Sequence, residues 1–124
     1  SKLDPESGAV YRYLGDCYAA DNLTQDAISA YKKAIKHNPH DAASMSALGC
    51  LFDHQNENPE ITLMFCRESV GLSPKNGLFR YRLGRLYFKQ NRLDDALNEY
   101  KKAEQFGYDA ARDIQEIKNR LVAK

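Results

Sequence analysis

A short pattern of bulky residue, leucine, glycine and aromatic recurs along this chain at an almost constant interval. Tyr11, Leu14, Gly15 and Tyr18 are followed 34 residues later by Met45, Leu48, Gly49 and Phe52, and 35 residues after that by Arg80, Leu83, Gly84 and Tyr87. A second set trails each first set: Ala27, Ile28, Tyr31, Ala34 and Ile35, then Thr62, Leu63, Cys66, Ser69 and Val70, then Ala96, Leu97, Tyr100 and Ala103. A period of this length marks one supersecondary unit per copy. Such a unit cannot bury its apolar face alone, so the copies must stack.

Inside each unit the apolar residues fall three and four apart, which predicts helices. The first, helix A, is expected from about Ser7 to Ala20, with Ser7 as its N-cap. Asn22, Asn56 and Asn91 share one phase, where a chain leaving a helix needs a left-handed residue that Asn tolerates. Thr24 is the expected cap of helix B, which Pro39 ends. Lys32, Lys33, Lys36 and His37 crowd its last turns, as the helix dipole favours. The second unit begins near Asp41, and in Asn58-Pro59-Glu60 the proline suits a first helical position after an Asn cap.

In the third unit Arg80 stands where Tyr11 and Met45 stood, and the neighbouring Phe79 is expected to supply the missing bulk. Gly107-Tyr108 closes that unit. A last helix carries Ile114, Ile117 and Leu121, spaced 34 residues after Arg80, Leu83 and Tyr87, but Lys118 now holds the glycine phase. With Arg112, Gln115, Glu116, Asn119 and Arg120 also polar, this helix reads as a solvating cap. Pro5, Pro39 and Pro74 are spaced 34 and 35 residues apart, so residues 1–6 are expected to be the end of a preceding repeat.

The glycine and alanine phases let two helix backbones approach, with Leu and Tyr filling the space beside them. Together with the period they resemble the tetratricopeptide repeat, whose eight signature positions are all met in the first unit by Tyr11, Leu14, Gly15, Tyr18, Ala27, Tyr31, Ala34 and Pro39. The resemblance covers the whole chain, 1–124, as one domain: repeats at about 8–41, 42–76 and 77–110, and a capping helix at about 109–123. Departures lie in the later units, at Thr62, Cys66 and Ser69, and at Arg80 and Tyr108. The resemblance implies an all-α, right-handed superhelical solenoid of seven helices.

It also implies a concave surface lined by helices A. The phases that point there give Arg12 and Asp16 in the first repeat, Ser46 and Cys50 in the second, and Tyr81, Arg82, Arg85, Phe88 and Lys89 in the third. The third repeat is thus the bulky, basic and aromatic end, with Tyr81 and Phe88 expected to be open to a guest. The expected partner is a peptide segment or a partner helix seated in this concave groove, and because arginine suits bidentate pairing with a carboxylate, an acidic segment is one form it can take. Some tetratricopeptide domains clamp a C-terminal carboxylate with Lys and Asn side chains. Here Asp16 and Ala47 occupy the Asn phases, so that clamp is not expected.

Composition narrows the function further. Against 18 basic residues stand 17 acidic ones, a net charge of +1, and apolar residues make up 43 % of the chain. A balanced charge gives no reason to expect nucleic acid or a membrane surface as partner, although a local stripe of Arg80, Arg82, Arg85, Lys89 and Arg92 exists. Three cysteines without a C-x-x-C spacing argue for a reducing compartment, here the cytoplasm. Cys17 and Cys66 are expected as small core residues, and Cys50 beside Ser46 and His54 supports no dyad. His37 and His40 flank Pro39 and lack further metal ligands. With no phosphate loop, H-E-x-x-H or nucleophile elbow, no catalytic role, metal or cofactor is expected. The chain reads as a non-enzymatic interaction module of a larger scaffold or co-factor protein. Homo-oligomerisation through exposed repeat ends and service as the targeting domain of an enzyme are the competing expectations.

Overall fold

Helices are the only regular structure in residues 8–123, the part of the chain that the computed structural model describes. They are α1 (Gly8–Ala20), α2 (Thr24–His37), α3 (Ala42–His54), α4 (Pro59–Leu72), α5 (Gly77–Lys89), α6 (Leu93–Gln105) and α7 (Ala111–Ala123). The Ser7 cap and the reading of residues 1–6 as a preceding repeat lie outside the described residues.

One device ends four of these helices. Asn22, Asn56 and Asn91 adopt φ of 61°, 55° and 60°, and Gly107 adopts 90°. Each is followed by a residue whose amide donates five positions back: Leu23 to the Tyr18 carbonyl (2.8 Å), Glu57 to Phe52 (3.0 Å), Arg92 to Tyr87 (2.9 Å) and Tyr108 to Ala103 (2.9 Å). The left-handed residue's own amide closes the inner ring, as Asn22 does to Ala19 (3.1 Å). This is the Schellman closure, which satisfies carbonyls that the helix end would otherwise leave unpaired.

The same closure overturns one expectation. Thr24 is not the cap of α2 but its first helical residue, and Leu23 takes the cap position without a side-chain hydrogen bond. Leu23 already serves the end of α1, so the linker is used up before Thr24. Arg92 does the same between α5 and α6. Longer linkers do carry side-chain caps: Asp41 accepts from the Ser44 amide (3.1 Å) and Asn76 from the Phe79 amide (3.1 Å). Asn58 accepts from the Glu60 amide (2.8 Å), with Pro59 opening α4.

The chain divides into two compact units, Ser1–Ser69 and Val70–Lys124. In the first, Ala27, Ile28, Tyr31 and Leu48 are buried together, with Tyr18, Leu51, Phe52 and Phe65 packed around them. Gly15 is required by close approach: a Cβ there would lie 2.6 Å from the Tyr31 ring. Cys66 is buried as expected, its Sγ against Gly49, but Cys17 is exposed. At the Cys17 phase Leu51 packs into the core of α2 and α3. Among the described residues no helix precedes α1 to cover its outer face.

In the second unit Phe79, Leu83, Leu86, Tyr87, Ala96 and Tyr100 are buried, and Gly84 abuts Tyr100 as Gly15 abuts Tyr31. Phe79 supplies the expected bulk. Arg80, at the aromatic phase, turns inward instead of solvating: its Nη1 donates to Glu99 Oε1 (3.0 Å) and its Nε to the Pro74 carbonyl (2.9 Å). Of α7, Ile117 is fully buried, Ile114 and Leu121 are half-buried, and Lys118 is exposed.

Candidate functional site

The residues singled out on helices A fall into both units. On α1, Arg12 is already engaged, its Nη1 donating to Asp41 Oδ1 at 3.1 Å. Asp41 is almost fully buried and also accepts from the Ser44 amide and hydroxyl, the latter at 2.8 Å. A buried carboxylate needs such partners to offset its lost hydration. Arg12 therefore holds the start of α3 in place, a structural duty that the sequence reading did not foresee.

One turn on, Asp16 is exposed and accepts a short 2.6 Å hydrogen bond from Tyr31 Oη. The tyrosine that packs on Gly15 thus also orients the neighbouring carboxylate. Ser46, expected to line an accessible surface, is fully buried, so no guest can reach it. Cys50 is half-buried, and the His54 ring nitrogen lies 3.0 Å from its backbone carbonyl rather than pairing with its thiol.

In the second unit, α5 carries the remaining five. Arg85 and Lys89 are exposed, and Arg82 is half-buried. Tyr81 and Phe88 are not open as expected. The Tyr81 ring lies against Tyr100 (5.3 Å between centroids) and Tyr108 (4.8 Å), and its hydroxyl donates to Asp113 Oδ1 on α7 (3.3 Å). The Arg120 guanidinium stands 4.6 Å above the Phe88 ring. Both aromatics are partly covered, and α7 supplies each with a polar partner, Asp113 for Tyr81 and Arg120 for Phe88.

The electrostatics follow from this packing. Burial, then the nearby Asp113 carboxylate, pushes the Tyr81 hydroxyl above its ordinary value of 10.0, while the Arg85 charge pulls the other way. Tyr100 is pushed up more strongly, again by burial first and Asp113 next. Both hydroxyls stay neutral at physiological pH, so the charge this face presents comes from its basic side chains and from Asp113. Asp113 and Arg120 were missed by sequence reasoning. The signal was there, since they sit 34 residues after Phe79 and Leu86, both core phases where a charge needs an explanation.

No helix among the described residues is long and apolar enough to cross a membrane. Two tetratricopeptide-repeat family models match the sequence, over residues 8–41 and 66–112, together about two thirds of it. Among curated proteins no significant match is found. Among solved structures, the first TPR of Spaghetti (RPAP3) bound to the HSP90 peptide SRMEEVD superposes with a TM-score of 0.87 at 17 % identity, covering 97 % of each chain. The first TPR domain of human RPAP3 gives 0.85 at 17 % identity, covering 97 % of this chain and 96 % of that one. MamA gives 0.73 at 25 % identity, over 84 % of this chain and 60 % of the other. These superpositions identify an all-α helical-repeat fold.

Proposed function

Because the chain belongs to the tetratricopeptide-repeat family, we propose that it is a non-enzymatic protein–protein interaction module that binds an acidic peptide segment over α5, through Arg85 and Lys89. The observation that carries this reading is the exposed Arg85 guanidinium on the same helix as half-buried Tyr81 and Phe88. A guest carboxylate can meet a forked donor there while its neighbours lie against the exposed parts of the rings. The acidic HSP90 peptide on a protein of the same fold supports the reading. At 17 % identity, however, the chemistry must come from this chain's own residues.

The test is titration of a labelled acidic peptide against a version with Gln and Asn in place of its acids. Arg85→Glu removes a charge-assisted pair and adds repulsion, so affinity falls by about tenfold or more, with circular dichroism unchanged. Equal affinity for the variant would remove Arg85 from the site.

A further inference from the structure

Helix α4 departs from its two counterparts on its outer face. At the phase of Asp26 in α2 and Asp95 in α6 it carries Ile61, and at the phase of Ser29 and Asn98 it carries Met64. These side chains are 45 % and 49 % exposed, large apolar groups in water where the sister helices are polar. Met64 borders a shallow depression of about 490 Å³, lined also by Glu60, Leu63, Arg67 and Glu68, all within the first unit. Among the described residues neither Glu60 nor Arg67 forms a side-chain ion pair.

The charges on this face follow a rule that an arbitrary exposed patch does not. Glu60, Met64 and Arg67 lie four and three residues apart, a single stripe along the helix. The two opposite charges stand about 10 Å apart along the axis, at 1.5 Å per residue, on either side of the methionine. Turned antiparallel about a point between residues 63 and 64, such a stripe meets its own complement. Glu60 faces Arg67 of the second copy, Arg67 faces Glu60, and Leu63 and Met64 interlock at the centre. Glu68 then falls beside Pro59 of the second copy, the positive end of that helix. A two-fold interface needs this self-complementarity.

We propose that the outer face of α4 is a self-association surface that pairs antiparallel with α4 of a second copy of the chain. The inference is independent of the acidic-peptide reading, which rests on α5. The face offers far fewer than the roughly 20–30 residues a side of a standard interface. The dimer is therefore weak and concentration-dependent, with a dissociation constant on the order of 10 to 100 µM.

Sedimentation of the chain from about 1 µM to about 500 µM, a range that brackets that constant, tests the proposal. A reversible dimer is expected. Met64→Glu weakens it by about tenfold or more, as loss of a central anchor does, with helix content and melting unchanged because the site is exposed. Glu60→Arg alone and Arg67→Glu alone each weaken it too. An equimolar mixture of those two variants restores it, because in the mixed dimer positions 60 and 67 of the two copies again face each other with opposite charges. A chain that stays monomeric throughout, a dimer indifferent to Met64→Glu, or a mixture that fails to restore association would each overturn the assignment.

Discussion

Glu99→Ala tests whether Arg80 was accommodated at an aromatic phase by pairing alone. The side chains of Arg80 and Glu99 are 13 % and 11 % exposed and meet at 3.0 Å. Breaking a fully buried pair from one side costs about 3–5 kcal/mol, because the remaining charge is stranded, whereas an exposed pair is worth about 1 kcal/mol or less. With roughly a tenth of each side chain still wetted, and with the Pro74 carbonyl still bound to Arg80 Nε, the cost should lie between those limits, about 2–3 kcal/mol. For a chain of this size that is a fall in melting temperature of roughly 10 °C. Denaturant melts followed by far-UV circular dichroism measure it. Arg80→Met combined with Glu99→Leu should recover most of the loss, since an apolar pair of similar volume carries no stranded charge. A single-variant cost below about 0.5 kcal/mol, in the range of ordinary surface changes, or a double variant as unstable as the sum, would refute this account.

Gly84→Ala would place a Cβ 2.8 Å from two atoms of the Tyr100 ring, and the forced shift should cost about 1–3 kcal/mol in the same melts. Alkaline stability follows from the two raised tyrosines. Tyr81 and Tyr100 hold their protons more tightly when folded than in the unfolded chain, where the value is near 10.0. Their contribution is thus whole below about pH 10 and is lost as pH rises through their folded values. Melts across that range should show stability falling, and ultraviolet titration of Asp113→Asn should show the Tyr81 hydroxyl ionising at lower pH than in the parent. A Tyr81 curve unmoved by that change would deny the Asp113 contact.

Much of the architecture was legible because its causes are local. Asn22, Asn56 and Asn91 needed only the helix ends beside them to reveal their left-handed backbone. Gly15 and Gly84 needed only the partner helix of their own pair. The site was less legible. Ser46 has the phase of an exposed position yet is fully buried, and Cys17 has the phase of a core position yet is exposed. A phase states which way a side chain points; it does not state whether anything stands there.

The 34-residue period, the helix pairs and the sites of closest backbone approach can be read from residue order alone, since periodicity and small residues act through near neighbours along the chain. The roles of the long polar side chains emerge only once the helices are packed. Arg12 reaches a cap 29 residues away, Arg80 a carboxylate 19 residues away, and Tyr81 a partner 32 residues away on α7. Such reach depends on which charges and hydroxyls the folded helices bring within about 3 Å, the range over which these bonds form, and no periodicity encodes that. The same holds for α4: its apolar residues could be read in order, but their exposure beside Glu60 and Arg67 belongs to the fold.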